Sequence, residues 1–196
     1  MRTAIFGGCF DPPHKGHINI AEESRKQFNL DRVILLPTGI PPHKNGVTAT
    51  SPEHRYKMCR IEAEKHGFEL SDYEVFRNEY CYSADTLEYF AEKLSGDDLF
   101  FIVGGDSINY IDKWYMPERI FKVCSIIVGA REKIDTDLIE RLRTDFNARI
   151  YFADNEIIDI SSTKIRENIK KGIPVTGMID PEVEEYIREN RLYEEK

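Results

Sequence analysis

The sequence predicts an α/β protein with a doubly wound parallel sheet, and three observations carry the prediction. Short, nearly continuous apolar runs recur along the chain, as is typical of parallel strands buried on both faces. Amphipathic segments of helical period separate these runs. The length of 196 residues suits a single domain that buries a core. Right-handed crossovers between the strands would then place helices on both faces of the sheet.

The chain opens with an expected strand, helix and strand. These elements are predicted at Met1–Gly8, Gly16–Phe28 and Arg32–Pro37. His17 lies on the buried stripe of the helix, so we expect its side chain to point toward the sheet. The stripe consists of His17, Ile20, Ala21, Ser24 and Phe28.

The later segments continue this alternation. Thr38–Thr50 is dense in Gly, Pro, Asn and Thr and is predicted to be a loop. Ser51 then caps a helix that has Pro52 in its first turn. Further strands are predicted at Phe68–Phe76 (one strand or two short ones), Asp98–Gly104, Lys122–Gly129 and Arg149–Phe152. Further helices are predicted at Ser83–Leu94, Asp135–Phe146, from the DISS segment to Gly172, and from Asp180 to about Asn190.

Composition narrows the class of protein. The formal net charge is −8, which makes a long nucleic-acid backbone an unexpected partner but leaves a small anion open. No apolar run approaches the roughly 20 residues that span a bilayer, and the N-terminus lacks a secretory pattern. We therefore expect a cytoplasmic protein without a membrane partner. The four cysteines are expected to be free thiols: Cys9, Cys59, Cys81 and Cys124.

Two expected helices begin with cations, where a helix carries about half a unit of positive charge and disfavours them. Lys164 and Arg166 lie at the start of the helix that follows Ile160-Ser161-Ser162. His14, Lys15 and His17 gather at the start of the first helix. Either the long side chains turn into solvent, or backbone N–H groups, hydroxyls and cations converge on a phosphate. The repetition favours a phosphate site.

Metal binding is the alternative for the two histidines. Their HxxH spacing lacks the carboxylate of a zincin motif, so we expect no metal site there. The Gly7-Gly8 pair belongs neither to a GxxxxGK[ST] loop nor to a GxGxxG fingerprint. A redox dinucleotide-binding domain is disfavoured for the same reason.

Together these segments resemble the nucleotidyltransferases that carry an HxGH signature and a late ISSTxxR signature. Here the signatures read His14-Lys15-Gly16-His17 and Ile160–Arg166. The segments PTGIPPHK, EVFRNEYCYSADTL, FIVGGDSINYIDKW and DPEVEEYIRENRLY resemble the bacterial nicotinate-nucleotide adenylyltransferase family over nearly the whole chain.

The resemblance implies a Rossmann-like nucleotidyltransferase fold in one domain, 1–196. Its C-terminal helical part, about 161–196, is expected to pack on the sheet and complete the ATP site. The implied reaction joins ATP and nicotinate mononucleotide to give nicotinate adenine dinucleotide and pyrophosphate, a step of NAD biosynthesis. Mg²⁺ is expected to arrive with ATP and to have few or no direct protein ligands.

The resemblance also implies residue roles. Catalytic residues are expected to be His14, His17, Lys44 and Arg166. ATP is expected to bind at Gly7, Gly8, Cys9, Phe10, Gly16, Gly104, Asp106, Arg131, Ser161, Ser162 and Thr163. The mononucleotide is expected to contact Lys44, Ser83, Trp114 and Tyr115. Cys9 stands where the family usually has Thr, so a phosphate contact there is expected through its backbone N–H.

The sequence leaves other functions open. The acceptor could be phosphopantetheine or nicotinamide mononucleotide in place of nicotinate mononucleotide. The fold could also serve a noncatalytic nucleotide sensor. Assembly into a homo-oligomer is left open as well.

Overall fold

A computed structural model describes residues 1–41, 48–129 and 134–194. Its six strands form one sheet in which all pairings are parallel, in the order β3-β2-β1-β4-β5-β6. The strands are β1 (Arg2–Gly8), β2 (Arg32–Pro37), β3 (Glu69–Leu70), β4 (Asp98–Gly104), β5 (Ser125–Gly129) and β6 (Ile150–Ala153). This is the doubly wound order, with its topological switch point between β1 and β4. The predicted fold class is confirmed.

The described residues form eight α-helices, and four of them begin at a side chain that accepts a backbone hydrogen bond, including Ser51 as expected. The side chains of Ser51, Asp135 and Ser161 each accept a hydrogen bond from the backbone N–H three residues later. The Asp180 carboxylate accepts one from the backbone N–H of Glu182, two residues later. The helices are α1 (Lys15–Gln27), α2 (Pro52–His66), α3 (Ser83–Lys93), α4 (Gly105–Ile108), α5 (Pro117–Val123), α6 (Thr136–Phe146), α7 (Ser162–Lys170) and α8 (Pro181–Glu189). A short 3₁₀ turn spans Ile111–Lys113.

Two predicted strands are wrong in their extent. Lys122 and Val123 end α5, and the strand begins only at Ser125. Proline in the first turn starts this helix, and its apolar end runs almost directly into β5, so the two look like one strand in the sequence. In Phe68–Phe76 only two residues are strand, because turn hydrogen bonds such as Val75 N–H to Asp72 C=O curl the following chain.

Successive side chains along each strand point alternately into two hydrophobic cores, one on each face of the sheet. One core packs strand side chains such as Ile5 and Phe101 against α3, α5 and α6. The other packs Ala4 and Ile102 against α1 and α2. A third cluster joins the C-terminal helices to Met58 of α2. The C-terminal part thus packs on α2, which lies against the sheet.

No helix among the described residues is long and apolar enough to cross a membrane.

Candidate functional site

A cleft of about 760 Å³ opens at the carboxyl ends of β1 and β4. Open parallel sheets bind ligands at this position, outside the switch point. The loops after β1, β2 and β4 line the cleft, together with the N-terminal turns of α3 and α7. We call the part formed by His17, Ser162, Thr163 and Arg166 the cationic side, and the part formed by Ser83, Trp114 and Tyr115 the aromatic side.

The two histidines of the first helix have different environments. His17 lines the cleft, with its ring edge-on to Phe10 at 5.0 Å between centroids. His14 is 1% exposed and is not a lining residue; it stacks under His17 with 3.7 Å between ring centroids. The structure therefore brings His17 to the cleft and buries His14 beneath it.

A hydrogen bond defines the donor of the His17 ring. The backbone N–H of His14 donates to Nδ1 of His17 at 3.3 Å. Because Nδ1 accepts, the neutral ring carries its proton on Nε2 and can donate from there. The capping interaction of α1 thus orients a hydrogen-bond donor on the cationic side.

Gly16 makes room for this histidine pair. A Cβ at Gly16 would lie 3.1 Å from Cε1 and Nδ1 of His14, a contact tighter than side chains normally make. Gly16 is one of the residues predicted to bind ATP, but the space beside it is filled by the His14 ring. Gly16 does not line the cleft.

The N-terminus of α7 is joined to the loop after β1 through backbone carbonyls. The Ser162 hydroxyl donates to the Pro12 carbonyl at 2.9 Å. Nη1 of Arg166 donates to the Asp11 carbonyl at 2.7 Å, and Nη2 donates to the Thr163 hydroxyl at 3.2 Å. These bonds hold the guanidinium of Arg166 in the wall of the cleft.

The two cations of this helix do not share a direction. Lys164 pairs with Asp159 at 3.4 Å, and both side chains are exposed outside the cleft. The Ser161 hydroxyl caps the helix by accepting from the Lys164 N–H at 3.2 Å, and Ser161 is not a lining residue. Of the two expected cations, only Arg166 reaches the cleft.

Asp11 joins three segments at this side. Its carboxylate is 5% exposed and accepts from the Thr50 hydroxyl at 2.8 Å, the Ala49 N–H at 2.7 Å and the Tyr193 hydroxyl at 2.7 Å. Burial raises the pKa of Tyr193, with the Asp11 charge adding to the effect. The loop after β1 is thereby tied to the start of α2 and to the C-terminal segment.

The aromatic side combines a ring platform with a helix N-terminus. Trp114 packs edge-on against Phe101 at 6.3 Å between centroids and also lines the cleft. Tyr115 is 46% exposed and lies 4.5 Å from the ring of Tyr82. Tyr82 is the N-cap of α3 and makes no side-chain capping bond, and Ser83, the first residue of this helix, lines this part of the cleft.

Arg55 and Glu74 were missed by the sequence interpretation. Arg55 is fully buried and donates to the Cys9 carbonyl at 2.8 Å and to the Gly39 carbonyl at 2.9 Å. Glu74 is 4% exposed, lines the cleft, and accepts from the Thr86 hydroxyl at 2.7 Å and from the Gly39 N–H at 3.3 Å. Burial raises the pKa of Glu74, while the Thr86 hydrogen bond and the Arg55 charge oppose that rise.

Little in the sequence signals this pair. Arg55 looks like a solvated helix residue, and Glu74 falls in a segment expected to be strand. The contact requires a glycine at position 39, because a Cβ there would lie 2.1 Å from the Glu74 carbonyl oxygen, but a single glycine in a predicted loop does not identify its neighbour.

Most of the predicted site residues share the cleft. Those lining it are Gly7, Gly8, Cys9, Phe10, His17, Ser83, Gly104, Asp106, Trp114, Tyr115, Ser162, Thr163 and Arg166. The residues His14, Gly16 and Ser161 do not line it. Lys44 and Arg131 lie outside the described residues. Within 1–41, 48–129 and 134–194, no group of three or more His, Cys, Asp or Glu is placed to hold a metal ion.

The sheet order and the cleft at its switch point define an α/β protein of the doubly wound class with a ligand site at that point. The family model described as cytidylyltransferase-like matches residues 5–168. A relative from Caldicellulosiruptor saccharolyticus, named "Probable nicotinate-nucleotide adenylyltransferase", is 42% identical and covers 100% of both chains. A Clostridium botulinum (strain Okra) relative of the same name is 38% identical over 98% of this chain and 99% of its own. The chain therefore belongs to the cytidylyltransferase-like family and, within it, to the group of nicotinate-nucleotide adenylyltransferases.

Solved structures share the fold. Nicotinic acid mononucleotide adenylyltransferase of Plasmodium falciparum, complexed with NaAD, superposes with a TM-score of 0.83 at 22% identity, covering 98% of this chain and 97% of that chain. A putative nicotinate-nucleotide adenylyltransferase of Vibrio parahaemolyticus gives 0.69 at 22% identity, covering 100% and 98%. At this identity the likeness concerns the fold alone.

Proposed function

We propose that this protein transfers the adenylyl group of ATP to nicotinate mononucleotide, giving nicotinate adenine dinucleotide and pyrophosphate, as a step of NAD biosynthesis. One observation carries the proposal: a single cleft holds a cationic side suited to phosphates and an aromatic side suited to a pyridine ring. The full-length relatives carry the name of this activity.

The reaction needs little covalent help from the protein. A phosphate oxygen of the mononucleotide attacks the α-phosphorus of ATP, and the bond to the bridging oxygen of pyrophosphate breaks. A phosphate monoester is already anionic near neutral pH, so no strong general base is required. The work of the protein is positioning and stabilising negative charge in the transition state.

The cationic side supplies that stabilisation. His17 donates from Nε2 to the α-phosphate, since its Nδ1 is engaged by the His14 N–H. Arg166, Ser162 and Thr163, with the positive end of α7, hold the β- and γ-phosphates, and Ser161 supports them as the N-cap of this helix. His14 supports His17 from below rather than from within the cleft.

The rest of the ATP site follows the loops at the ends of β1 and β4. Asp106 hydrogen-bonds the ribose, and Lys44 and Arg131 contribute charge to the phosphates, as the family resemblance implies. The nucleotide also lies against Gly7, Gly8, Cys9, Phe10 and Gly104. Mg²⁺ enters as part of the substrate MgATP, with the phosphates as its main ligands.

The aromatic side favours the acid over the amide form of the mononucleotide. Trp114 offers a face to the pyridine ring, and its own packing on Phe101 holds that face in place. Ser83 begins α3, whose N-terminus carries partial positive charge and lacks a side-chain cap. A nicotinate carboxylate gains from this end of the helix and from the Tyr115 backbone, whereas a neutral amide gains less.

The C-terminal part completes the ATP side in this proposal. Residues 1–196 act as one domain, and the segment of about 161–196 brings Ser162 and Arg166 to the loop after β1. The backbone N–H of Lys15 also donates to the Met178 carbonyl at 3.1 Å, which fastens the same segment to the start of α1.

The test is an acceptor comparison. Purified protein is incubated with MgATP and, in turn, nicotinate mononucleotide, nicotinamide mononucleotide and phosphopantetheine, and pyrophosphate release is measured. We expect release with nicotinate mononucleotide, at least about tenfold faster than with the amide. ATP binding without pyrophosphate release from any acceptor would indicate a nucleotide sensor instead.

A further inference from the structure

We propose that Thr86, Glu74 and Arg55 are positioning residues of the aromatic side, where they fix the first turn of α3 against Gly39. This inference rests on the proposed function, because it concerns the binding of the mononucleotide. None of the three residues is proposed to contact the reacting phosphates. Together they form a continuous chain of hydrogen bonds from the loop after β1 to α3.

The first step of the chain is Arg55. Its guanidinium is fully buried, and its two terminal nitrogens donate to carbonyls that lie just past the ends of β1 and β2, those of Cys9 and Gly39. The guanidinium is planar and its donors form a rigid fork, so it sets the separation of the two loops. A lysine would supply the charge without the fork.

The second step passes through Gly39 to Glu74. Gly39 accepts from Arg55 with its carbonyl and donates to Glu74 with its N–H, at 3.3 Å. A side chain at Gly39 is excluded by the Glu74 carbonyl oxygen, 2.1 Å from the ideal Cβ position. The two backbones are therefore in direct contact, and the carboxylate of Glu74 is compensated by the nearby charge of Arg55.

The third step fixes α3. Thr86 is 3% exposed and lies one turn after Ser83, and its hydroxyl donates to the second oxygen of Glu74 at 2.7 Å. Both carboxylate oxygens of Glu74 are thus engaged by described donors, so the group serves as an anchor rather than as a base. We assign the N–H groups of the first turn of α3 to the nicotinate carboxylate. The Thr86–Glu74 hydrogen bond holds this turn, and therefore these N–H groups, in position.

The decisive variants are Thr86→Val and Thr86→Ser. Valine keeps the shape and loses the hydroxyl, whereas serine keeps the hydroxyl and loses a methyl group. We expect Thr86→Val to raise the KM for nicotinate mononucleotide about tenfold with the KM for ATP within twofold, since a hydrogen bond to a buried carboxylate is lost. Thr86→Ser should stay within about threefold for both substrates. Thr144→Val is the matched control, because the Thr144 hydroxyl donates to a carbonyl on the exposed face of α6.

A purely structural role gives a different result. In that case both Thr86 variants lower Tm and alter both KM values in parallel, which would overturn the inference. A double-mutant cycle adds a second check: in a Glu74→Ala background, Thr86→Val should change the mononucleotide KM by less than about twofold. A full tenfold effect in that background would show that Thr86 acts independently of Glu74.

Direct titration of nicotinate mononucleotide separates this inference from the proposed function. If the wild-type protein releases no pyrophosphate but binds the mononucleotide, and Thr86→Val weakens that binding about tenfold, the proposed activity fails and the positioning role stands. If the wild-type protein is active and Thr86→Val behaves like Thr144→Val, the positioning role fails alone. A wild-type protein that does not bind the mononucleotide overturns both.

Discussion

The cationic and aromatic sides of the cleft are built in different ways. On the cationic side, Arg166 and Ser162 are held by backbone carbonyls of one neighbouring loop. On the aromatic side, the start of α3 is held by a buried network that draws on α2 and on the chain after β2. A phosphate site needs only helix ends and a few donors, which are local features, whereas a shaped ring site needs walls whose separation is fixed from several elements.

The largest expected effect tests the cationic side at His17. His17→Ala should lower kcat about 10²–10³-fold, the scale of losing one transition-state donor. The KM for the mononucleotide should change little, because the aromatic side is untouched. Steady-state kinetics with both substrates measures the effect.

The matched control for this variant is His54→Ala. His54 bonds to the Tyr186 hydroxyl at 2.8 Å and does not line the cleft, so its removal should leave kcat near the wild-type value. Near-normal turnover of His17→Ala would remove His17 from the mechanism and leave Arg166 as the main charge of its side.

Arg166 gives the next largest effect. Arg166→Met keeps much of the side-chain volume but removes the cation and both hydrogen bonds, so kcat/KM for ATP should fall about 30- to 100-fold. Lys164→Met changes the same charge two residues away, on a side chain paired with Asp159 outside the cleft, and should cost less than about threefold. Equal losses in the two variants would mean that general positive charge, and not the placement of Arg166, serves ATP.

The cationic side could be predicted from the sequence because its residues lie in two short motifs. The position of His17 on a helical stripe already directed it inward. The burial of His14 could not be predicted, since it depends on the stacking of two rings beside Gly16. The strand order of the sheet was only implied by the alternation of elements, and α5 was missed because its apolar end merges with β5.

The network behind the aromatic side could not be predicted. Arg55 and Glu62 both lie on the buried face of α2, so the apolar period that normally reveals a buried face is interrupted by charge. Glu74 lies in a series of turns, but the apolar residues around it are typical of a strand. Their roles come from contacts between segments distant in the sequence, which local patterns do not record.

Trp114 tests the aromatic side with a smaller effect. Trp114→Ala should raise the KM for nicotinate mononucleotide about tenfold through loss of the ring face, with the KM for ATP within twofold. Trp114→Phe keeps a ring against Phe101 and should stay within about threefold. A rise in the KM for ATP as large as that for the mononucleotide would show that the two sides are not independent, which contradicts the comparison.

The smallest effect on activity is expected at Glu62, two turns along α2 from Arg55 and away from the cleft. Glu62 is 2% exposed, and burial raises its pKa from 4.5 to about 7, with the charge of Asp180 adding to the rise. Between these values the folded state binds more protons than the unfolded state, so the Glu62 contribution to stability falls as pH rises from about 4.5 to 7. His66 and Lys65 oppose the rise in pKa.

The variant Glu62→Gln removes the pH dependence that Glu62 causes. The free energy of unfolding of the variant, relative to wild type, should therefore increase by up to about 3 kcal/mol between pH 4.5 and pH 8. Urea unfolding across this range measures the difference, and both KM values should stay within twofold. A changed KM for either substrate would mean that substitutions anywhere on the buried face of α2 affect substrate binding in the cleft, and not only substitutions of Arg55.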